Sequence, residues 1–170
     1  VQEYLLNVLE YWVREVQVDG YRFDVIDEID ENFVLKIRDR LKRLNPELVL
    51  IGETWAEGKR LLNGCEMDSI MNYSFRQAML DFFAERSINA ETFGHRLETA
   101  LSRHPDETNM AMFNALDTHD TKRFINSCGH RLDSFKLGVV VQMMFPGSPS
   151  IYYGDEAGID GENDPDCRKC

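Results

Sequence analysis

The sequence predicts an α/β fold, a parallel sheet covered by helices, in the form of a partial (β/α)8 TIM barrel. Short apolar runs alternate about five times with segments whose apolar residues recur at helical spacing, which is typical of βα units. No glycine-rich phosphate turn follows the first predicted strand, as a doubly wound nucleotide-binding sheet would require. A complete barrel needs about 200–250 residues and eight strands, and the 170 residues supply too few.

The predicted elements follow one another without a break along the chain. Helical spacing of apolar residues predicts helices over 5–16, 34–44, 74–85, 90–103 and 134–145. Apolar or β-prone runs predict strands over 21–26, 48–51, 68–71, 112–116 and 151–153, the last after the breaker PGSP at 146–149. Because no internal repeat or Pro/Gly/Ser-rich linker interrupts the pattern, we treat residues 1–170 as one stretch of a single domain.

Composition and charge restrict the class of partner. The chain is 43% hydrophobic and 29% charged, and it has no run of about 18 apolar residues, so a folded domain without a membrane span is expected. A formal net charge of −11 argues against nucleic acid and anionic membranes and fits a neutral substrate.

The cysteines form one CxxC pair and two widely separated singles: Cys65, Cys128, Cys167 and Cys170. A zinc site would need a second close pair or a nearby histidine pair. We therefore expect free thiols, no metal, and a reducing compartment, which favours the cytoplasm.

Arg22 and Asp24 lie two residues apart on a predicted strand, so both side chains leave the same face. The guanidinium would hold the carboxylate ionised, as a nucleophile requires. The alternative is an ordinary structural ion pair without chemistry.

Glu53 follows the apolar run 48–51 and therefore stands at the C-terminal end of a strand, where barrel enzymes place their active sites. A carboxyl group kept protonated by apolar surroundings could serve as general acid, and Trp55 could supply those surroundings or stack on a sugar. The alternative is a glutamate that complements a helix N-terminus.

The segment 116–121 (LDTHDT) ends another predicted strand and sets His119 beside Asp120. That pair could bind sugar hydroxyls and stabilise positive charge, although Asp117 or Asp120 could instead cap the next helix. Carboxylates on three strand ends of one barrel are expected to share a pocket, and two of them suffice for retaining glycoside hydrolysis if they are about 5 Å apart.

Four segments together resemble the α-amylase family of glycoside hydrolases, in its neopullulanase, cyclomaltodextrinase and maltogenic amylase branch. They are residues 19–28 (DGYRFDVIDE), 51–55 (IGETW), 116–124 (LDTHDTKRF) and 145–156 (FPGSPSIYYGDE). The resemblance covers nearly the whole chain in the family's order. It implies strands four to eight of a catalytic barrel.

The resemblance also implies roles for single residues. Asp24 would be the nucleophile with Arg22 as its charge partner, Glu53 the acid/base, and Asp120 the transition-state stabiliser beside His119. Glu28, four residues after the nucleophile, would shape the acceptor side. Asp164 and Arg168, in a tail that resembles a branch segment, would hold a donor-side glucose.

The chain departs from the branch at residues 25–28, which read VIDE where the branch usually has VANE, so the shape of the subsites is left open. Strands one to three with the family's third-strand Asp and His segment, and the N-terminal domain of the branch, are also missing. We therefore expect a fragment that is inactive alone, with no metal, although calcium is common in classical α-amylases. A homodimer is one way to cover the two unpaired sheet edges of a half barrel.

Three functions remain open at this stage. The first is retaining hydrolysis, with or without transfer to another sugar, of α-glucosidic bonds in cyclodextrins, pullulan, starch or malto-oligosaccharides. The second is a non-catalytic, amylase-like protein that binds carbohydrate, and the third is an α-1,6-glucosidase of the same clan. The presence of all three acids, Asp24, Glu53 and Asp120, favours an enzyme over the binding protein, and the ending YGDE at 153–156 counts against the α-1,6-glucosidase.

Overall fold

A computed structural model describes residues 1–170, and the chain divides into two compact units, Val1–Met71 and Asn72–Cys170. Each unit contains parallel strands only: a three-stranded sheet in the first and a two-stranded sheet in the second. The parallel α/β organisation predicted from the alternation of elements is therefore confirmed. None of the helices combines the length and the hydrophobicity that a membrane span requires.

The first unit contains two helices and three strands. They are α1 (Gln2–Tyr11), continued by a π-helical turn (Trp12–Val16), then β1 (Gly20–Phe23), a 3-10 turn (Ile26–Glu28), α2 (Glu31–Leu44), β2 (Val49–Gly52) and β3 (Ser69–Ile70). The strand order is β1-β2-β3. The carboxylate of Asp30 caps α2 by accepting the Phe33 N–H at 3.0 Å, and α2 ends before Pro46, whose preceding residue Asn45 is extended.

The pairing of β1 with β2 depends on a glycine. Gly20 lies opposite Val49, and a Cβ atom at Gly20 would come within 2.5 Å of the Val49 carbonyl oxygen. Only a residue without a side chain lets the two backbones approach this closely. The register that follows sets Arg22 opposite Ile51 and Phe23 opposite Gly52, so both strands end at the same level.

The second unit contains five helices and two strands. They are α3 (Tyr73–Met79), continued by a π-helical turn (Leu80–Ala84), then α4 (Ala90–Ser102), α5 (Asp106–Ala111), β4 (Phe113–Ala115), α6 (Phe124–Ser127), α7 (Leu132–Met144), β5 (Ser148–Ser150) and two 3-10 turns (Asp155–Ala157 and Asp166–Arg168). Its apolar core joins helices and the end of β4. The core includes Phe75, Met79, Phe83, Phe93, Leu116, Phe124, Ile125 and Phe135.

The helices α5 and α6 were not predicted, since both are too short to show a periodic apolar pattern. The first predicted strand, 21–26, is shorter than expected, because Val25 adopts φ 43° and breaks the extended backbone after Phe23. In the second unit, Phe75, Phe83 and Phe93 are buried in the core, and Phe82 packs against it.

The predicted strand 151–153 is wrong. The strand lies at Ser148–Ser150 and thus begins within the segment 146–149 that was taken as a breaker; Asn114 faces Pro149 there. Proline is tolerated because β5 has a partner on one side only within this sheet. Tyr152 and Tyr153, which follow β5, form cation–π contacts instead: the Arg123 guanidinium lies 3.9 Å from the ring centre of Tyr152 and 4.8 Å from that of Tyr153.

Candidate functional site

A salt bridge forms at the end of β1, as the two-residue spacing predicted. Nη1 of Arg22 lies 2.5 Å from Oδ1 of Asp24. The Asp24 side chain is 75% exposed, whereas that of Arg22 is 30% exposed. Asp24 is therefore a carboxylate that is held from one side and open to a ligand on the other.

Glu53 directly follows β2, and its side chain is only 4% exposed. Oε2 lies 3.1 Å from Nη2 of Arg22 and accepts the backbone N–H of Val25 at 2.9 Å. The partners of this carboxyl group are thus polar ones supplied by the neighbouring strand end, and the glutamate does not belong to a helix N-terminus. One guanidinium, that of Arg22, contacts both Asp24 and Glu53.

Backbone hydrogen bonds continue from β1 and β2 into the segments that carry these acids. The Glu53 N–H donates to Phe23 O at 2.8 Å, and the Ile26 N–H donates to Glu53 O at 3.1 Å. The Thr54 hydroxyl donates to Oδ2 of Asp27 at 2.7 Å. Glu53 is therefore fixed by its main chain as well as by its side chain, and Asp27, where the branch usually has asparagine, helps to hold the segment after Glu53.

The two other candidates in the first unit lie at the surface. Glu28 ends the 3-10 turn that follows Asp24, and it is exposed. Trp55 is 61% exposed. The stacking of Trp55 on a sugar stays a prediction.

A tight turn in the second unit carries His119 and Asp120. The Thr118 N–H donates to the hydroxyl of Thr121 at 2.9 Å, and the Asp120 N–H donates to the hydroxyl of Thr118 at 3.2 Å. Both threonines are buried, so the turn is fixed from the interior. His119 and Asp120 at its tip are partly exposed.

Asp120 is surrounded by the candidates that the sequence placed beside it and in the tail. Nε2 of His119 lies 3.0 Å from its Oδ2, and Nη2 of Arg168 lies 3.2 Å from its Oδ1. Arg168 in turn lies 2.6 Å from Oδ1 of Asp164. The structure thus brings together Asp120, His119, Asp164 and Arg168. Asp24 and Glu53 belong to the first unit, and the convergence of all three acids on one pocket stays a prediction.

The choice between Asp117 and Asp120 as a helix cap is resolved by burial and contacts. Asp117 is 2% exposed, and its Oδ2 accepts the N–H of Phe124, the first residue of α6, at 2.6 Å. Asp120 faces His119 and Arg168 instead. Asp117 therefore has a structural role in this turn, and Asp120 is the one available to a ligand.

Sequence reasoning missed Arg123, which is fully buried behind this turn. Its Nη1 donates to Tyr153 O at 2.6 Å and lies 3.1 Å from Oδ1 of Asp155, and its Nε donates to Cys167 O at 2.9 Å. Arg123 thereby joins the turn before α6 to both 3-10 turns of the tail. The sequence did offer a clue to this role, because Arg123 and Asp155 each lie inside one of the segments that carry the family resemblance, 116–124 and 145–156.

The interior next to Arg123 holds two carboxyl groups. Burial raises the pKa of Asp117, and burial together with the charge of Asp117 raises the pKa of Asp155 to about 8. Arg123 opposes both effects. The pair formed by Asp155 and Asp117 therefore holds a proton more tightly than an ordinary aspartate does.

An open cleft of about 440 Å³ in the second unit reaches Asp120. Its walls include Thr121 and Lys122 beside Asp120, and Arg76 and Glu85 from α3 and the residues that follow it. The lining is predominantly polar. No group of three or more His, Cys, Asp or Glu side chains is arranged to hold a metal ion, and none of the four cysteines forms a disulfide.

Comparisons with known proteins identify relatives over the whole chain. The family model "Alpha amylase, catalytic domain" matches residues 1–169. A cyclomaltodextrinase of Thermoanaerobacter pseudethanolicus is 47% identical over all 170 residues, and neopullulanase 2 of Thermoactinomyces vulgaris is 43% identical over 169 residues, or 99% of the chain.

A solved structure of a cyclomaltodextrinase superposes with a TM-score of 0.97 at 43% identity, over 99% of this chain and 29% of its own. The chain spans 30% of the length of the Thermoanaerobacter relative and 29% of that of the Thermoactinomyces relative. It thus corresponds to somewhat less than a third of these proteins.

Proposed function

Since the chain belongs to the alpha-amylase family, we propose that it forms about strands 4 to 8 of the catalytic (β/α)8 barrel of a retaining α-glucan hydrolase. The proposed substrates are cyclodextrins, pullulan, starch and malto-oligosaccharides. Relatives named cyclomaltodextrinase and neopullulanase support this range.

The observation that carries the proposal is the single guanidinium shared by two acids at neighbouring strand ends. Arg22 contacts Asp24 at 2.5 Å through Nη1 and Glu53 at 3.1 Å through Nη2. Two carboxyl groups that reach the same guanidinium are necessarily neighbours. Retaining glycosidases use a nucleophile and an acid/base whose carboxyl groups are only about 5–5.5 Å apart.

In the first proposed step, an Asp24 oxygen attacks the anomeric carbon while Glu53 donates its proton to the glycosidic oxygen. The bond to the leaving sugar breaks, and a glycosyl ester with Asp24 forms. The exposure of Asp24 suits a nucleophile, which must reach the substrate, and the fixed position of Glu53 suits proton transfer over a short distance.

In the second step, the Glu53 carboxylate takes a proton from water or from a sugar hydroxyl, whose oxygen attacks the anomeric carbon. The ester to Asp24 breaks, and Glu53 regains its proton. Two inversions give net retention, and the choice of acceptor decides between hydrolysis and transglycosylation. Asp120, with His119 beside it, is proposed to stabilise the positive charge that develops on the sugar in both transition states.

We propose further that the working enzyme is a longer parent protein, because the relatives are about three times as long as this chain. The 170-residue chain alone would lack part of the wall of the substrate cleft, and dimerisation is a proposed means of covering the sheet edges of a half barrel. Analytical ultracentrifugation of the isolated chain would show whether it is a dimer.

Reducing-sugar release from β-cyclodextrin, pullulan and starch tests the proposal, with the 170-residue chain and the parent measured side by side. We expect turnover by the parent alone. Turnover by both would remove the argument that the isolated chain is incomplete. Binding of oligosaccharide without turnover by either protein would replace the hydrolase with a carbohydrate-binding protein of the same fold.

A further inference from the structure

The side chain of Arg168 is committed to the turn that carries His119 and Asp120. Its Nη2 donates to Oδ1 of Asp120 at 3.2 Å, and its Nε donates to the backbone oxygen of His119 at 3.0 Å. Nε2 of His119 lies 3.0 Å from the other oxygen, Oδ2, of Asp120. Each carboxylate oxygen of Asp120 thus has its own partner, and together the two partners fix the rotation of the carboxylate plane.

A buried anchor holds Arg168 in this place. Cys167 is fully buried, and its thiol donates to the same His119 oxygen at 3.2 Å. The carbonyl of Cys167 accepts the Nε–H of Arg123, which is also fully buried, at 2.9 Å. The turn Asp166–Arg168 is therefore attached to the interior on one side and to the Asp120 turn on the other.

The buried anchor lowers the entropic cost of forming the ion pair between Arg168 and Asp120. The Arg168 side chain is 47% exposed, and a pair of this kind is worth little when both side chains must be ordered for it. Here the backbone of Arg168 is already fixed through Cys167, and Asp164 restrains the guanidinium at 2.6 Å. Little conformational freedom is left to lose when Arg168 meets Asp120.

Resting on the proposed function, we propose that Arg168 is a positioning residue, which holds the Asp120 carboxylate in the orientation that stabilises the transition state. A charge that is already oriented needs no reorganisation when the positive charge develops on the sugar, and this lowers the barrier. The effect acts through Asp120 and needs no contact between Arg168 and the substrate.

This role differs measurably from the donor-side glucose binding that the family resemblance implied for Arg168. A residue that only binds a remote glucose affects substrates long enough to reach it, and its loss raises KM for them. A residue that positions Asp120 affects kcat for every substrate. The two roles can be distinguished by comparing a donor with a single glucose, such as 4-nitrophenyl α-glucoside, with the longer substrate maltohexaose.

The test compares Arg168→Ala and Arg168→Lys in the parent with Lys169→Ala, which removes the adjacent cation of the same turn. Lys169 contacts Asp160 and Asp166 at 3.1 and 3.4 Å. For Arg168→Ala we expect kcat to fall roughly 10- to 100-fold on both substrates, as for a misplaced catalytic group. Arg168→Lys should be intermediate, because an ammonium lacks the planar fork that reaches several oxygens at once. Lys169→Ala should resemble the wild type.

Normal kcat of Arg168→Ala on 4-nitrophenyl α-glucoside, with a raised KM for maltohexaose, would overturn the proposal. If circular dichroism shows that Arg168→Ala is unfolded, Arg168→Lys and Cys167→Ala decide: reduced kcat on both substrates supports the proposal, and unchanged kcat overturns it. A wild-type parent that turns over neither substrate would instead reject the proposed function, and the positioning role with it.

Discussion

The backbone N–H of Val25 donates to Oε2 of Glu53 at 2.9 Å, so the residue after one proposed catalytic acid holds the other. Val25 reaches this geometry at φ 43°, in the left-handed region that β-branched residues rarely adopt. Such strain costs on the order of 1–3 kcal/mol and persists where the surroundings enforce it. The strain lies in the backbone between Asp24, the proposed nucleophile, and the hydrogen bond to Glu53, the proposed acid/base.

Val25→Gly should therefore not destabilise the protein, because glycine adopts this backbone conformation without strain and keeps the N–H. Val49→Gly is the matched control: Val49 is similarly exposed, at 44% against 37%, but lies in the regular strand β2. We expect Val49→Gly to lower the free energy of unfolding by about 1 kcal/mol and Val25→Gly to leave it equal or higher. Urea denaturation measures both, and equal losses would contradict the strain at Val25.

Glu53→Gln should abolish proton donation while it keeps an amide oxygen that accepts the Val25 N–H. Turnover of maltohexaose should fall by roughly two to four orders of magnitude. Formation of the glycosyl ester from α-glucosyl fluoride should suffer far less, because fluoride leaves without a proton. An equal loss on both substrates would exclude Glu53 as the general acid.

Asp24→Asn should lose at least about three decades of turnover while it still binds substrate. The amide retains an oxygen near Arg22 but is a poor nucleophile toward the anomeric carbon. Kinetics of the parent and calorimetric binding of maltohexaose provide the two measurements. Activity comparable with the wild type would remove Asp24 from the mechanism.

The sequence predicted those parts of the site that follow from local geometry. The alternation of side chains along a strand was enough to pair Arg22 with Asp24, and the end of an apolar run was enough to place Glu53 at a strand end. The hydrogen bond from Val25 to Glu53 could not be predicted, since it needs a conformation that valine disfavours and a partner 28 residues away.

The surroundings of Asp120 were predictable only through the family resemblance. Arg168 lies 48 residues along the chain from Asp120, and no pattern of spacing relates them. Arg123 was overlooked because a charged residue in a polar motif suggests a surface position, whereas the folded chain buries it among carbonyl groups and tyrosine rings. Arg123 is buried because residues 153–167, far along the chain, pack against it at the start of α6.

Asp155 provides a prediction for pH. Its folded pKa of about 8 lies above its ordinary value of 3.8, so between these values the folded state binds a proton that the unfolded state has lost. The free energy of unfolding therefore falls as pH rises through this window. The free energy of unfolding of Asp155→Asn should fall less between pH 5.5 and 8 than that of the wild type, by on the order of 1 kcal/mol. Urea denaturation at the two pH values measures this difference.

Asp39→Asn, in an exposed position on α2 beside Arg43, is the control for that measurement and should keep the wild-type slope. A slope unchanged in Asp155→Asn would mean that Asp155 is already ionised at neutral pH in the folded protein.

Gly20 and Gly94 give opposite predictions for the same substitution. A Cβ at Gly20 would meet the Val49 carbonyl oxygen at 2.5 Å, a backbone atom that cannot move unless β1 shifts along or away from β2. A Cβ at Gly94, within α4, meets nothing within 4 Å. Gly20→Ala should therefore lower the free energy of unfolding by about 1–3 kcal/mol, and Gly94→Ala should raise it by up to about 1 kcal/mol.

Because Arg22 is on the same strand as Gly20, Gly20→Ala should also reduce kcat, whereas Gly94→Ala should not. A stable, fully active Gly20→Ala variant would show that the spacing of β1 and β2 does not position Arg22.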